Sequence, residues 1–112
     1  MSEWGLPKHV AGLPEAWQDI RDLDNSKRAQ VLKAIQKVAK KPLEKPAGYG
    51  VPLHGMLSGF CKIKLLKAGI RIVYKPVRTI DGMFLVVVAM RRDDEVYKIA
   101  EKRIKAHPEF FD

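Results

Sequence analysis

The sequence predicts an α+β fold: a helical hairpin packed on a small, mainly antiparallel sheet of 3-5 strands, with a short C-terminal helix. Three observations carry that expectation. Apolar residues recur at helical spacing between Trp17 and Ala39. They alternate in a strand manner between Phe60 and Val77, and run without a break from Met83 to Met90. Helical spacing returns from Val96 to Ile104.

In chain order, Lys8–Ala11 is a weak strand candidate, with Gly12 directly after it. Pro14 sits where a first helical turn tolerates it, and Trp17, Ile20 and Leu23 follow on one face, with Trp17 read as a core anchor. Asp24, Asn25 and Ser26 supply a turn and a choice of N-caps. In the second helix Val31, Leu32, Ile35, Val38 and Ala39 form the apolar stripe, and Pro42 stops it. So short a connection predicts an antiparallel pair. Leu43 to Gly59 reads as loop, being rich in glycine and proline.

Phe60–Leu66 and Ile70–Val77 then flank Lys67-Ala68-Gly69 as a β-hairpin. A two-residue turn at Ala68-Gly69 sets Cys61, Ile63, Leu65, Ile70, Ile72 and Tyr74 on one face. Lys62, Lys64, Leu66, Arg71, Val73 and Lys75 fall on the other; a three-residue loop would bury Arg71, so the apolar pattern selects the shorter turn. After Ile80-Asp81-Gly82, the run Met83–Met90 suits a central strand covered on both faces. Asp93, Asp94 and Glu95 suit the positive end of a helix that continues to about Ala106. One domain spans 1–112, with 1–7 and 107–112 expected as loosely attached tails, although the two aromatics of HPEFFD offer a way to dock.

Composition narrows the function. The chain has 112 residues, 46% of them hydrophobic, and carries a formal charge of +8. Such a core needs no disulfide staples, and the longest apolar run is too short to span a bilayer. With no signal-like opening, the expectation is a cytoplasmic protein without membrane contact, and one cysteine excludes an internal disulfide. Residues 26–45 and 46–80 each carry +6, so the excess lies mid-chain. Lys62, Lys64, Lys67, Arg71, Lys75 and Arg78 have no acid among them from residue 46 to residue 80, whereas a surface needing only solubility mixes both signs. Lys33, Lys37, Lys40 and Lys41 read either as a solvated helix face or as a phosphate-binding one.

His9, His54 and His107 have no ligand spacing, so no metal and no cofactor are expected, and Cys61 reads as a small core residue. Cations on one sheet face, with Arg91 at a strand end and Tyr97 on the next helix, match the needs of metal-free RNA cleavage. There the ribose 2′-OH attacks its own 3′-phosphate, and the site supplies a proton acceptor, phosphorane stabilisation and help for the departing 5′-oxygen. A basic face that only binds phosphate has the same composition.

The ordered set GFCKIKL from Gly59, AGIRIVY from Ala68, VVV from Val86, Arg91-Arg92 and EVY from Glu95 resembles the RelE toxins of bacterial toxin–antitoxin pairs. Pro52-Leu53-His54-Gly55 and the helix pair Leu13–Lys40 are similar to the wider RelE/ParE superfamily. The resemblance implies a type II toxin acting as a ribosome-dependent endoribonuclease on mRNA in the A site. It implies catalytic roles for Lys62, Lys64, Arg71, Arg91 and Tyr97. Tyr97 would help take the 2′-OH proton, Lys62, Lys64 and Arg71 would stabilise the phosphate, and Arg91, or Arg92 after a one-residue shift, would assist the leaving oxygen. A phenol ordinarily titrates near pH 10, so that role calls for cationic neighbours. Lys33, Lys37, Lys40, Lys41, Lys75 and Arg92 would bind RNA. The implied partners are the ribosome, mRNA and a cognate antitoxin, whose acidic segment would cover the cationic face or displace the C-terminal helix; the free toxin would be monomeric. The alternatives are a ParE-like gyrase inhibitor of the same fold and a non-catalytic nucleic-acid-binding module. The sparse first strand and the longer tail depart from the family pattern.

Overall fold

A computed structural model describes residues 4–111. A five-stranded mixed sheet runs in the order β1-β5-β4-β3-β2, with β1 Val10–Gly12, β2 Val51–Pro52, β3 Cys61–Leu65, β4 Ile70–Val77 and β5 Gly82–Ala89. Four helices accompany it: α1 Pro14–Arg21, α2 Asn25–Ala39, α3 Asp93–Ala106 and α4 Pro108–Phe111. The weak N-terminal strand forms, and it pairs in parallel with β5 through Val10↔Met83 to Gly12↔Leu85. All other strand pairs are antiparallel.

The helical hairpin forms as its apolar spacing dictates. Asp24 caps α2, its Oδ1 accepting the Lys27 N–H at 2.8 Å. Arg28 reaches back over the turn and donates to the carbonyls of Ile20, Arg21 and Leu23, satisfying the open end of α1. Ala16 and Ile20 of α1 and Val31, Ile35, Val38 and Ala39 of α2 are buried. Their stripes join Ile70, Ile72, Tyr74, Leu85 and Val88 in one core. Each large aliphatic side chain removed from water there contributes roughly 1.5–3 kcal/mol. Tyr74 is buried too, and its hydroxyl donates to the Pro42 carbonyl at 2.6 Å, which pins the exit of α2 to the sheet.

The β3–β4 turn differs from the sequence reading. Leu65 pairs with Ile70, and the chain reverses over Leu66–Gly69, the Gly69 N–H donating to the Leu66 carbonyl at 3.3 Å. A turn centred on Ala68-Gly69 would have set Leu66 against Arg71; instead Lys64 lies opposite Arg71. Gly69 is needed where the chain leaves the turn, at φ +68°, rather than at its centre. The displacement is two residues, an even number, so every side chain keeps its expected face.

Three further details depart from expectation. The loop from Leu43 to Gly59 contains the short edge strand β2 and a 3-10 turn at Gly55–Leu57. Val86 is an extra residue of β5, a bulge between the pairs Val73↔Val87 and Tyr74↔Leu85. The segments expected to be loose tails are anchored to the core at Trp4, Leu6 and Phe111; residues 1–3 and 112 lie outside the described residues. Leu6 is buried, Trp4 lies against Trp17 at 6.1 Å, and Phe111 packs on Phe60 and Phe84 at 5.7 and 5.6 Å. Aromatic area draws both segments in, which a composition of short polar residues would not do. Trp17 itself is half-buried against the core.

Beyond the end of β1 the edge of β5 is unpaired, and a tertiary ion pair covers it. Asp19 of α1 accepts the Val88 N–H at 2.9 Å and the Arg103 guanidinium at 2.7 Å, while Arg103 of α3 donates to the Val86 carbonyl at 3.0 Å. One pair thus ties two helices to the central strand and satisfies the backbone groups it would otherwise leave open.

Candidate functional site

Lys62 and Lys64 leave β3, and Arg71 and Val73 leave β4, on the sheet face across which α3 packs. Lys64 and Arg71 are direct cross-strand partners, an arrangement that like charges destabilise. Asp93, at the start of α3, resolves the conflict. Its Oδ2 lies 2.9 Å from the Lys64 ammonium, and its Oδ1 accepts from Arg71 Nε at 2.7 Å. The hydrogen bond from Lys64, and after it that from Arg71, holds the Asp93 carboxyl below the usual carboxylate range. In return the Asp93 hydrogen bond raises the Lys64 ammonium above its ordinary value. Arg71 also donates to the Gly69 carbonyl at 3.4 Å.

One turn further along α3, Tyr97 brings its ring beneath the Lys62 ammonium, 6.0 Å from centroid to nitrogen. The Tyr97 hydroxyl is covered, with no hydrogen-bond partner among the described residues. Four of the five expected catalytic residues thus share one sheet face and helix: Lys64 and Arg71 meet the Asp93 carboxylate, and Lys62 stands over Tyr97 one turn along α3. Chemically this is an anion receptor, filled by the Asp93 carboxylate, beside a phenol.

Arg91 stands apart. It lies in the link between β5 and α3 and meets Glu95 at 3.5 Å, an exposed pair one helical turn long. Arg92 stands at the N-cap position of α3, with no capping hydrogen bond from its side chain, and approaches the same Glu95 at 4.0 Å. Both arginines are exposed and paired to one acid, so the geometry does not separate them as candidates for the leaving-group role.

The expected RNA-binding lysines divide into two places. Lys33, Lys37, Lys40 and Lys41 are all exposed along one side of α2 and its exit. Lys37 turns toward Tyr49, 5.8 Å from its ring, and with Lys45, Lys62 and Lys64 lines a groove of about 320 Å³. Lys75 stands on the cationic face but lies over Phe60 at 6.0 Å, in a different groove.

Sequence reading missed the role of Asp93, taken only as a helix N-terminal acid. The available signal was an acid directly after Arg91-Arg92, at the one junction that returns the chain to the lysine strands. Cys61 is buried in the core and its thiol is pushed up by desolvation, in keeping with a packing residue. His9 meets the Ala39 carbonyl at 2.7 Å and His107 meets Glu15 at 2.7 Å, in separate parts of the molecule. No helix among the described residues is long and apolar enough to cross a membrane.

No known protein family and no curated protein matches the chain. Solved structures do. The chain is similar to an arginine-to-alanine double variant of the Escherichia coli toxin RelE in the free state, with TM-score 0.68 and 29% identity over 85% of this chain and 95% of that one. The same variant in complex with an antitoxin RelBc peptide matches with TM-score 0.63 and 27% identity, over 81% of this chain and 90% of that one. The RelBE2 toxin–antitoxin complex of Mycobacterium tuberculosis matches with TM-score 0.61 and 22% identity, over 73% of this chain and 95% of that one. The likeness extends over most of each chain: this chain has the RelE-type toxin fold.

Proposed function

We infer that this protein is the toxin of a type II toxin–antitoxin pair and that it cleaves mRNA positioned by the ribosome, in the A site. The observation that carries this reading is the convergence of Lys62, Lys64, Arg71 and Tyr97 around Asp93. The two Asp93 oxygens mark where a phosphate's non-bridging oxygens would sit, because a carboxylate and a phosphate accept the same charge-assisted bonds. In the reaction the ribose 2′-oxygen bonds to phosphorus as the bond to the 5′-oxygen breaks, giving a 2′,3′-cyclic phosphate; Tyr97 takes the 2′-OH proton as a phenolate, and water protonates the departing 5′-oxygen. Lys62, Lys64 and Arg71 face the phosphorane charge. Arg91 or Arg92 aids the departing oxygen as a fixed positive charge, since a guanidinium does not give up its proton.

The free protein is closed in two respects: Asp93 occupies the anion site and the Tyr97 hydroxyl is covered. Ribosome-bound mRNA, presenting a fixed phosphate, would displace the carboxylate, so naked RNA is cut poorly. Similarity to toxins solved with antitoxins supports a protein partner of the same kind here. Its acidic segment would compete for these cations or displace α3, and the free toxin would be monomeric and cytoplasmic.

Brief induction followed by mapping of mRNA 5′ ends tests the reading. Cuts inside translated codons, lost in Arg71→Ala protein that still folds, are expected. DNA damage without such cuts would overturn it in favour of gyrase inhibition.

A further inference from the structure

Lys75 lies four residues beyond Arg71 on β4, so its side chain leaves the sheet on the same face as the Asp93 cluster, about 13 Å further along the strand. There it stands over Phe60 in an open groove of about 700 Å³. Phe84, opposite Lys75 on β5, and Phe110 of α4 form the groove's aromatic wall, with ring centroids 5.2 Å apart. His54 and Arg78 stand at its rim, Arg78 being paired with Glu44.

Docking of the C-terminal segment does not rest on Phe110 alone. Phe111 performs that task, contacting both Phe60 and Phe84. Phe110, by contrast, keeps 49% of its surface exposed while one side meets Phe84. A half-open pair of rings beside a cation offers a flat apolar face and a positive charge together. A nucleotide presents the complementary pair, a base with two π-faces and a phosphate. Lys75 shares its strand face with Arg71, at a distance that about two nucleotides of an extended strand would span.

We propose that this groove seats a base of single-stranded RNA flanking the scissile phosphate, stacked on Phe110 and Phe84 with its phosphate on Lys75. The proposal rests on the RNA-cleaving reading of the neighbouring cluster. It makes the C-terminal segment a part of substrate binding.

The test uses the full chain and a short single-stranded RNA carrying the fluorescent base 2-aminopurine next to a 2′-deoxy, uncleavable position. Stacking quenches this base. The parent protein quenches it; Phe110→Ala binds about 5- to 100-fold more weakly and loses the quench. Phe110→Trp, which keeps a stacking face, restores both. Phe110 is exposed enough that its removal leaves the fold intact, and a melting curve checks this. In parallel, parent and Phe110→Ala proteins are given ribosomes programmed with the same codon.

A parent that cuts on the ribosome but never quenches the probe overturns the groove and leaves the cleavage reading standing. A parent that quenches but does not cut retains the groove and removes the cleavage reading. Absence of both removes both. A Phe110→Ala protein that binds RNA as the parent does, yet no longer holds an acidic antitoxin peptide, assigns the groove to the protein partner and overturns the proposal.

Discussion

Tyr97 combines two features that rarely coexist: a ring held under the Lys62 ammonium and a covered hydroxyl without a hydrogen-bond partner among the described residues. An unpaired buried hydroxyl costs roughly 1–3 kcal/mol, so its presence argues for a use outside folding. Tyr97→Phe is therefore expected to melt at the same temperature as the parent or slightly higher, while cleavage on the ribosome falls about 100-fold or more. Calorimetry and single-turnover cleavage check the two halves separately. Equal activity in the phenylalanine protein would exclude proton transfer through this phenol. Asp93 makes the opposite prediction. Replacing it with Asn removes the anion that competes for Lys64 and Arg71, so inorganic phosphate should bind about two- to fivefold more tightly, as expected for a half-exposed pair. Isothermal titration reads the change.

At the scale of elements, α4 is held by a titratable contact. The hydrogen bond to Glu15 on α1, then that to Glu109, raises His107 above its ordinary value of 6.5, and the same Glu15 bond lowers Glu15 from 4.5. Arg103 adds a smaller favourable charge to Glu15. The His107 contribution is complete below pH 6.5 and fades as pH rises through the raised folded value. The Glu15 contribution is complete above pH 4.5 and fades as pH falls through the lowered one. The C-terminal segment is thus most firmly seated between these limits and loosens toward alkaline pH. Ring-proton chemical shifts of Phe110 and Phe111, followed from about pH 5 to 9, should show one transition above the ordinary imidazole value of 6.5, and His107→Gln should abolish it. The contact joins residues 92 positions apart, which is why the sequence alone left this segment loose. Within the β3–β4 hairpin the reverse held. Alternation fixed which face each side chain takes, yet not the turn, because a displacement of two residues leaves the alternation unchanged.

Across the whole molecule, legibility follows sequence separation. Lys62, Lys64 and Arg71 were readable as neighbours because a single hairpin carries them. Asp93 and the edge-covering Asp19–Arg103 pair were not, since their partners are set by how α3 crosses the sheet. Charge is the property that the whole chain sums, and the fold divides it. The Asp93 cluster neutralises itself in part, whereas Lys33, Lys37, Lys40 and Lys41 stay exposed on one side of the helical hairpin. If they contact ribosomal RNA, replacing all four with Gln lowers the formal charge from +8 by one unit each and removes as many phosphate contacts. The slope of log affinity for ribosomes against log salt should then become shallower by up to about 3.6, at roughly 0.7–0.9 per contact. The cleavage rate at saturating ribosome should stay near the parent value, because all four are exposed and none pairs with Asp93, even Lys37, which lines a groove with Lys62 and Lys64. Binding measured at several salt concentrations, together with single-turnover cleavage, separates the two effects. An unchanged slope would make this side of α2 a solvated surface, and a fall in the saturated rate would move the lysines into the chemistry itself.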